Sequence, residues 1–200
     1  MRKHLLCGYF ILLPWYGYMQ TTTIDSATLQ TIKAKLEHLS DMDQQYRTIS
    51  NLNKLNSLRK FGLHSTEYTA IQNLIASNDS SDQREIIPIL DKYGWLGQSE
   101  VGEKANESIF YIIHHSNNEL RLKYIPLMRA SVAKGESNRT HLEWMEDRIL
   151  LYQDKPQKYG TQPYNVPRKD GSIDFYTDRH RANEELLKEG LDTTPSPLLK

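Results

Sequence analysis

Leu29, Ile32, Leu36 and Leu39 recur at steps of three and four, and this spacing is the strongest constraint on the fold. Side chains on an α-helix rotate by about 100° per residue, so these positions share one face, whereas a half-buried strand needs strict alternation. The same period returns in Val101, Ala105, Ser108, Ile109 and Ile112, and again in Leu142, Met145, Ile149 and Tyr152. No strand-period run of any length competes with these stripes, and neither an internal repeat nor a low-complexity block interrupts them. The pattern predicts an all-α protein, an irregular bundle of about six helices.

Local signals divide the chain further. Ser26 is placed to cap a first helix running to about Leu58, with a break at Gly62. Ser65 caps a second helix through Ala76. The polar cluster Asn78 to Ser81 reads as a loop, and Asp82 with Glu85 as the capping box of a short third helix through Ile86, Ile87, Ile89 and Leu90, disturbed by Pro88 and ended near Gly94. Ser99 opens the next helix, which Asn117 and Asn118 interrupt. Leu120 to Lys134 follows, closed by Gly135, and Ser137 or Asn138 opens another helix that Pro156 stops. Residues 156–176 hold three prolines, two glycines and several tyrosines, and read as an ordered loop or a small hairpin. Thr177 to Lys188 is a last charged helix with Gly190 behind it, followed by a frayed tail, 193–200.

Residues 1–20 differ from the remainder. Arg2, Lys3 and His4 precede an uncharged apolar and aromatic run from Leu5 to Met19, the layout of a secretory signal or N-terminal membrane anchor. The run is shorter than the ~20 residues of a spanning helix, and Pro14 interrupts it. A buried first helix is the competing reading, and export to a periplasmic, envelope or extracellular location is preferred. Residues 21–192 then form a single helical domain. Lys+Arg and Asp+Glu both number 25, and removing Arg2 and Lys3 leaves 23 − 25 = −2. Such a balance argues against a nucleic-acid partner and leaves residues 1–20 as the only route to a membrane. Cys7 is the single cysteine, which excludes an internal disulfide, a zinc–thiolate site or a cysteine nucleophile downstream of the segment.

Chemistry is sought where polar groups break the apolar stripes. One turn beyond Leu39 the first stripe meets Asp43, and a second turn brings Arg47, while Tyr46 and Ile49 keep the helix partly apolar. A buried ion needs a partner and hydrogen bonds, so this pair is either the edge of a larger polar site or a solvated surface bridge. The stripe from Val101 through Ile112 ends on His115, either a general base or a structural hydrogen-bonding group. His114 points about 100° away and does not pair with it in chelation. His141 with Glu143 or Glu146 lacks the spacing of a zinc-binding helix, so no metal site is indicated, and no cofactor fingerprint occurs. The densest segment runs from Trp144 to Gln162. Asp147 and Arg148 face different directions, and Gly160 lets Gln157, Tyr159, Thr161 and Gln162 turn around it, either as a recognition loop or as an ordinary turn.

Asp43-Gln44-Gln45-Tyr46-Arg47, Gly94-Trp95-Leu96, His114-His115 and Asp147-Arg148 with Gln157-Lys158-Tyr159-Gly160-Thr161-Gln162 occur in this order. Together they resemble the motifs of a bacterial family of domains of unknown function over about residues 30–165. Leu96 stands where that pattern has proline, and His114 where it has glutamine. The resemblance brings no activity with it, but it implies that these polar groups belong to one site. The expectation is therefore an exported helical domain with a polar pocket for a small molecule or peptide. Asp43, Gln44, Arg47, His115, Asp147, Arg148, Gln157, Tyr159, Gly160, Thr161 and Gln162 would build it. In a hydrolase or modifying enzyme His115 would be the base, oriented by Asp43 or Asp147, and Arg47 or Arg148 would stabilise negative charge. In a non-catalytic envelope-interaction protein the same residues would form a structural polar network.

Overall fold

A computed structural model describes residues 24–61, 65–168, 170, 172–176 and 178–190. The leader read in residues 1–20, the break at Gly62 and the tail 193–200 lie outside the described residues. Among the described residues there are seven helices: α1 (Ser26–Phe61), α2 (Thr66–Tyr93), α3 (Gln98–Val101), α4 (Glu103–His114), α5 (Asn118–Ala133), α6 (Arg139–Tyr152) and α7 (Arg179–Lys188). Between α6 and α7 lies a hairpin of β1 (Tyr164–Pro167) and β2 (Ile173–Tyr176), antiparallel with Tyr164 opposite Tyr176 and Val166 opposite Asp174. The chain is mostly helical, as the periodicity requires, and the hairpin occupies the Pro/Gly/Tyr-containing segment.

α1 packs along α2 and α4, and α5 along α6, so α4 sits at the centre of the bundle. The stripes supply the core: Ile32, Leu36 and Leu39 from α1, Ile86, Ile89 and Leu90 from α2, Ile109, Ile112 and Ile113 from α4, Met128 from α5, and Met145 and Ile149 from α6. Each fully buried aliphatic side chain contributes about 1.5–3 kcal/mol relative to exposure. Val166, Ala182 and Leu186 form a second small core between β1 and α7. Beside it Arg168 joins Asp174 of β2, at 2.7 Å, to Glu185 of α7 at 2.9 Å and to Glu189 just behind that helix at 3.3 Å.

Several caps fall where the residues place them. Ser65 accepts from the Tyr68 N–H at 3.1 Å, Asn138 accepts from the Thr140 N–H at 2.8 Å, and Gly135 takes φ 75° behind α5. Three expectations are corrected. Asn78–Ser81 is not a loop and Asp82 is not a cap, because α2 runs unbroken through both. There Ser80 bonds back to the Ala76 carbonyl at 2.8 Å, Asn78 donates to Asp82 at 3.1 Å, and burial of Ile75 and Ile86 overrides the weak local propensity. The helix expected from Ser99 is two helices divided at Gly102, which has φ 83°, and its opening cap is Gly97 with Glu100 reaching back to the Gly97 N–H at 2.8 Å. α6 ends at Tyr152, ahead of Pro156, where Asp154 takes φ 59° and turns the chain.

Candidate functional site

α2 covers the far half of α1, so the stripe that leads from Leu39 to Asp43 stays inside. Asp43 is 1% exposed. Arg47 Nε lies 2.8 Å from Asp43 Oδ1 and 3.1 Å from Oδ2, and Gln44 Nε2 donates to Oδ2 at 2.9 Å. The other end of Arg47 reaches across to Asp79 on α2 through Nη2. Asp82, one turn further along α2, is also buried. Burial pushes the Asp79 carboxyl upward, and Arg47 opposes that shift. Burial together with the charges of Asp43 and Asp79 raises Asp82 to about 6. Asp79 and Asp82 escape a sequence reading that treats 78–81 as a loop. Continuous helical counting from Ile75 to Ile86 would have put both on the inner face.

A second cluster forms where α4 ends. Carbonyls in the last turn of a helix lack internal partners and carry the negative end of its dipole. Here the His114 carbonyl accepts from Arg121 Nε at 3.0 Å and from Arg148 Nη1 at 3.3 Å. Arg121 also donates to the Ser116 carbonyl through Nη2 and to Asn118 at 3.4 Å, and its guanidinium stacks 4.4 Å from the Tyr152 ring centroid. Arg148 Nε donates to the Gln162 side-chain oxygen at 2.8 Å. Neither Arg121 nor Arg148 has an ion pair with a carboxylate among the described residues. Burial lowers Arg148 to about 10, and the charge of Arg121 adds to the effect.

The imidazoles belong to the end of α4, where His114 closes the last turn and His115 is the C-cap. His114 packs against Phe110 with ring centroids 4.9 Å apart, and His115 stacks on Tyr111 at 6.3 Å. Burial holds both well below the usual imidazole range. The charges of Arg47, Arg148 and Arg121 push His115 in the same direction. Both are therefore neutral near pH 7, and the Nδ1 atom of each is buried without a hydrogen bond. Arg47 and Arg148 both act on His115 and on Asp79, so the two clusters share one electrostatic neighbourhood.

Asp147 takes a different part. Fully buried, it accepts from the backbone N–H of Lys158 at 2.7 Å, Tyr159 at 3.0 Å and Thr161 at 2.8 Å, and from the Thr161 hydroxyl at 2.9 Å. Burial raises its carboxyl, but these donors outweigh that and leave it below the ordinary value. Gly160, at φ 71°, provides the left-handed turn that lets the N–H groups converge. Gln157 clasps Gln162 through its backbone, donating to the carbonyl at 2.6 Å and accepting from the N–H at 2.8 Å, which presents the Gln162 side chain to Arg148. Tyr159 turns outward. It is 38% exposed, its hydroxyl lies 3.3 Å from Glu146, and Lys158 sits over its ring.

The expected residues thus divide. Asp43, Gln44 and Arg47 join Asp79, and Arg148 and Gln162 join Arg121 at the end of α4 that carries His115, whereas Asp147, Gln157, Gly160 and Thr161 build the turn beneath Gln162, and Tyr159 faces outward. Neither Asp43 nor Asp147 hydrogen-bonds His115: Arg47 and Gln44 occupy the first, and the turn occupies the second. Asp79, Asp82 and Arg121 were not foreseen. Among the described residues no group of three His, Cys, Asp or Glu side chains is placed to hold a metal ion, and no helix is long and apolar enough to cross a membrane. Residues 63–176 match a protein family described as being of unknown function (DUF6624). No curated protein and no solved structure matches the chain.

Proposed function

Since the chain belongs to the DUF6624 family, whose function is unknown, its activity must be sought in the side chains themselves, and we propose that it binds a polar small molecule or peptide beside His115. The observation that carries this reading is the meeting of Arg121 and Arg148 on the His114 carbonyl, one residue before an imidazole, His115, whose buried Nδ1 makes no hydrogen bond. A buried polar atom left unsatisfied costs about 1–3 kcal/mol, and a ligand that supplies the missing hydrogen bond recovers it. A hydrolytic or group-modifying reaction fits the same residues. Neutral His115 would accept a proton, and Arg148 would stabilise the developing anion. The alternative, a structural network in an envelope-interaction protein, draws support from Asp147, whose bonds all serve to hold a turn. The basic and apolar pattern of residues 1–20 supports export or anchoring as the setting for either activity.

The test is a thermal-shift screen of the full chain against polar metabolites and dipeptides. A ligand at 100 times its Kd stabilises by about 2.7 kcal/mol. His115→Ala is expected to abolish the ligand-induced shift while the unliganded Tm stays within a few degrees. If that substitution instead collapses the Tm, and no compound in the screen shifts the wild type, the structural network is the correct reading.

A further inference from the structure

We propose that the group recognised at this site is a single carboxylate, held by Arg148 beside His115; the proposal rests on the polar-ligand reading above and names the ligand's chemistry. Three guanidinium groups meet here, and their hydrogen bonds distinguish them. Arg47 is taken up by Asp43 and Asp79. Every nitrogen of Arg121 already donates, to the His114 and Ser116 carbonyls and to Asn118. Of the three, Arg148 alone has among the described residues neither a counter-ion nor a hydrogen bond from every nitrogen. Its Nε and Nη1 go to neutral oxygens of Gln162 and His114, and its Nη2 makes no hydrogen bond among the described residues. The guanidinium plane is fixed from two sides, so a planar acceptor arriving at Nη2 meets a preorganised donor. Arg148 is tied to the carbonyl of His114, and in the next residue the buried Nδ1 of His115 also makes no hydrogen bond.

Charge decides between a carboxylate and a phosphate. Arg47, Arg121 and Arg148 supply three positive charges, and Asp43, Asp79 and Asp82 supply up to three negative ones, which gives 3 − 3 = 0 with Asp82 ionised and +1 with it protonated. The carboxyl of Asp147 faces its own four donors. With Asp82 protonated a single negative charge is balanced, while a dianion leaves one negative charge uncompensated within reach of Asp79.

Binding is measured on the full chain by NMR, following the His115 Cε1–H signal, assigned with His115→Gln. The probes are acetate, succinate, an N-acetyl dipeptide as its free acid, the same dipeptide as its C-terminal amide, and inorganic phosphate. At least one carboxylate probe is expected to bind ten times more tightly than the amide or phosphate. Its bound anion is expected to raise the His115 pKa, an effect read on the wild type without any variant. Arg148→Lys, which keeps the charge but loses the fork, is expected to weaken that probe at least tenfold. Preference for the dipeptide acid over acetate and succinate identifies a peptide C-terminus, and the reverse a free organic acid. Each of these results supports the carboxylate. Equal binding of acid and amide, tighter binding of phosphate, or binding of no carboxylate probe overturns it. In the first two cases the polar-ligand reading still stands, so the two failures are separable.

Discussion

Asp147 shows how one side chain can organise a segment that local propensity leaves open. Four donors from Lys158, Tyr159 and Thr161 converge on its two oxygens, and each hydrogen bond to a charged acceptor contributes about 1.5–3 kcal/mol against its loss. Asp147→Asn turns one acceptor oxygen into a donor facing N–H groups. The expected result is a loss of about 2–3 kcal/mol in urea unfolding, with faster hydrogen exchange at the three amides. Because the folded carboxyl lies below its unfolded value near 3.9, its contribution is complete above that pH and disappears as the pH falls further. The crowding of polar groups around Gly160 is plain in the sequence. Their target is not, because backbone N–H groups carry no residue identity and any of the neighbouring carboxylates would serve them equally well.

At the level of elements, α2 departs most from a local reading. Asn, Asp and Ser favour turns because their side chains compete for backbone hydrogen bonds, yet Asn78–Ser81 are helical. Ile75 and Ile86 on either side bury against the bundle, and Arg47 on α1 draws Asp79 inward. Ser80 and Ser81 are exposed in the helix interior, where serine is a poorer helix former than alanine. Ser80→Ala with Ser81→Ala is therefore expected to stabilise the protein by about 0.5–1 kcal/mol in total, read as a higher urea midpoint at unchanged slope. In a loop the same pair would leave the midpoint unmoved or lower it. Where signals agree with burial, as at Ser65, Asn138 and Gly135, the elements begin and end as the residues suggest. The hairpin was one of two open readings for 156–176, since four-residue strands are too short for a period to show.

For the molecule as a whole, burying ionisable groups near α4 makes stability depend on pH in two opposing ways. His114 and His115 stay neutral when folded but protonate near 6.5 when unfolded, so acidification below that value costs up to about 1.4 kcal/mol per pH unit for each imidazole. Asp82 acts in reverse. Its folded value near 6 lies above the unfolded one near 3.9, so it adds stability as the pH falls through that interval. Asp82→Asn removes this offset, and the loss of stability between pH 6 and pH 4 is expected to steepen by up to about 1.4 kcal/mol per pH unit. Urea midpoints of the two proteins at pH 7, 6, 5 and 4 measure it, and parallel curves would contradict the burial of this carboxyl. The helical class, the apolar stripes and the caps at Ser65, Asn138 and Gly135 were determined by the sequence alone, because they depend on contacts within about four residues. Which charges meet at His115 was decided only in three dimensions. Asp79 and Asp82 joined because α2 did not break, and Arg121 joined because the end of α4 presents carbonyls that two later helices answer. The pairings of Arg47 with Asp79 and of Arg148 with the His114 carbonyl span more than thirty residues and leave no spacing in the chain to be read.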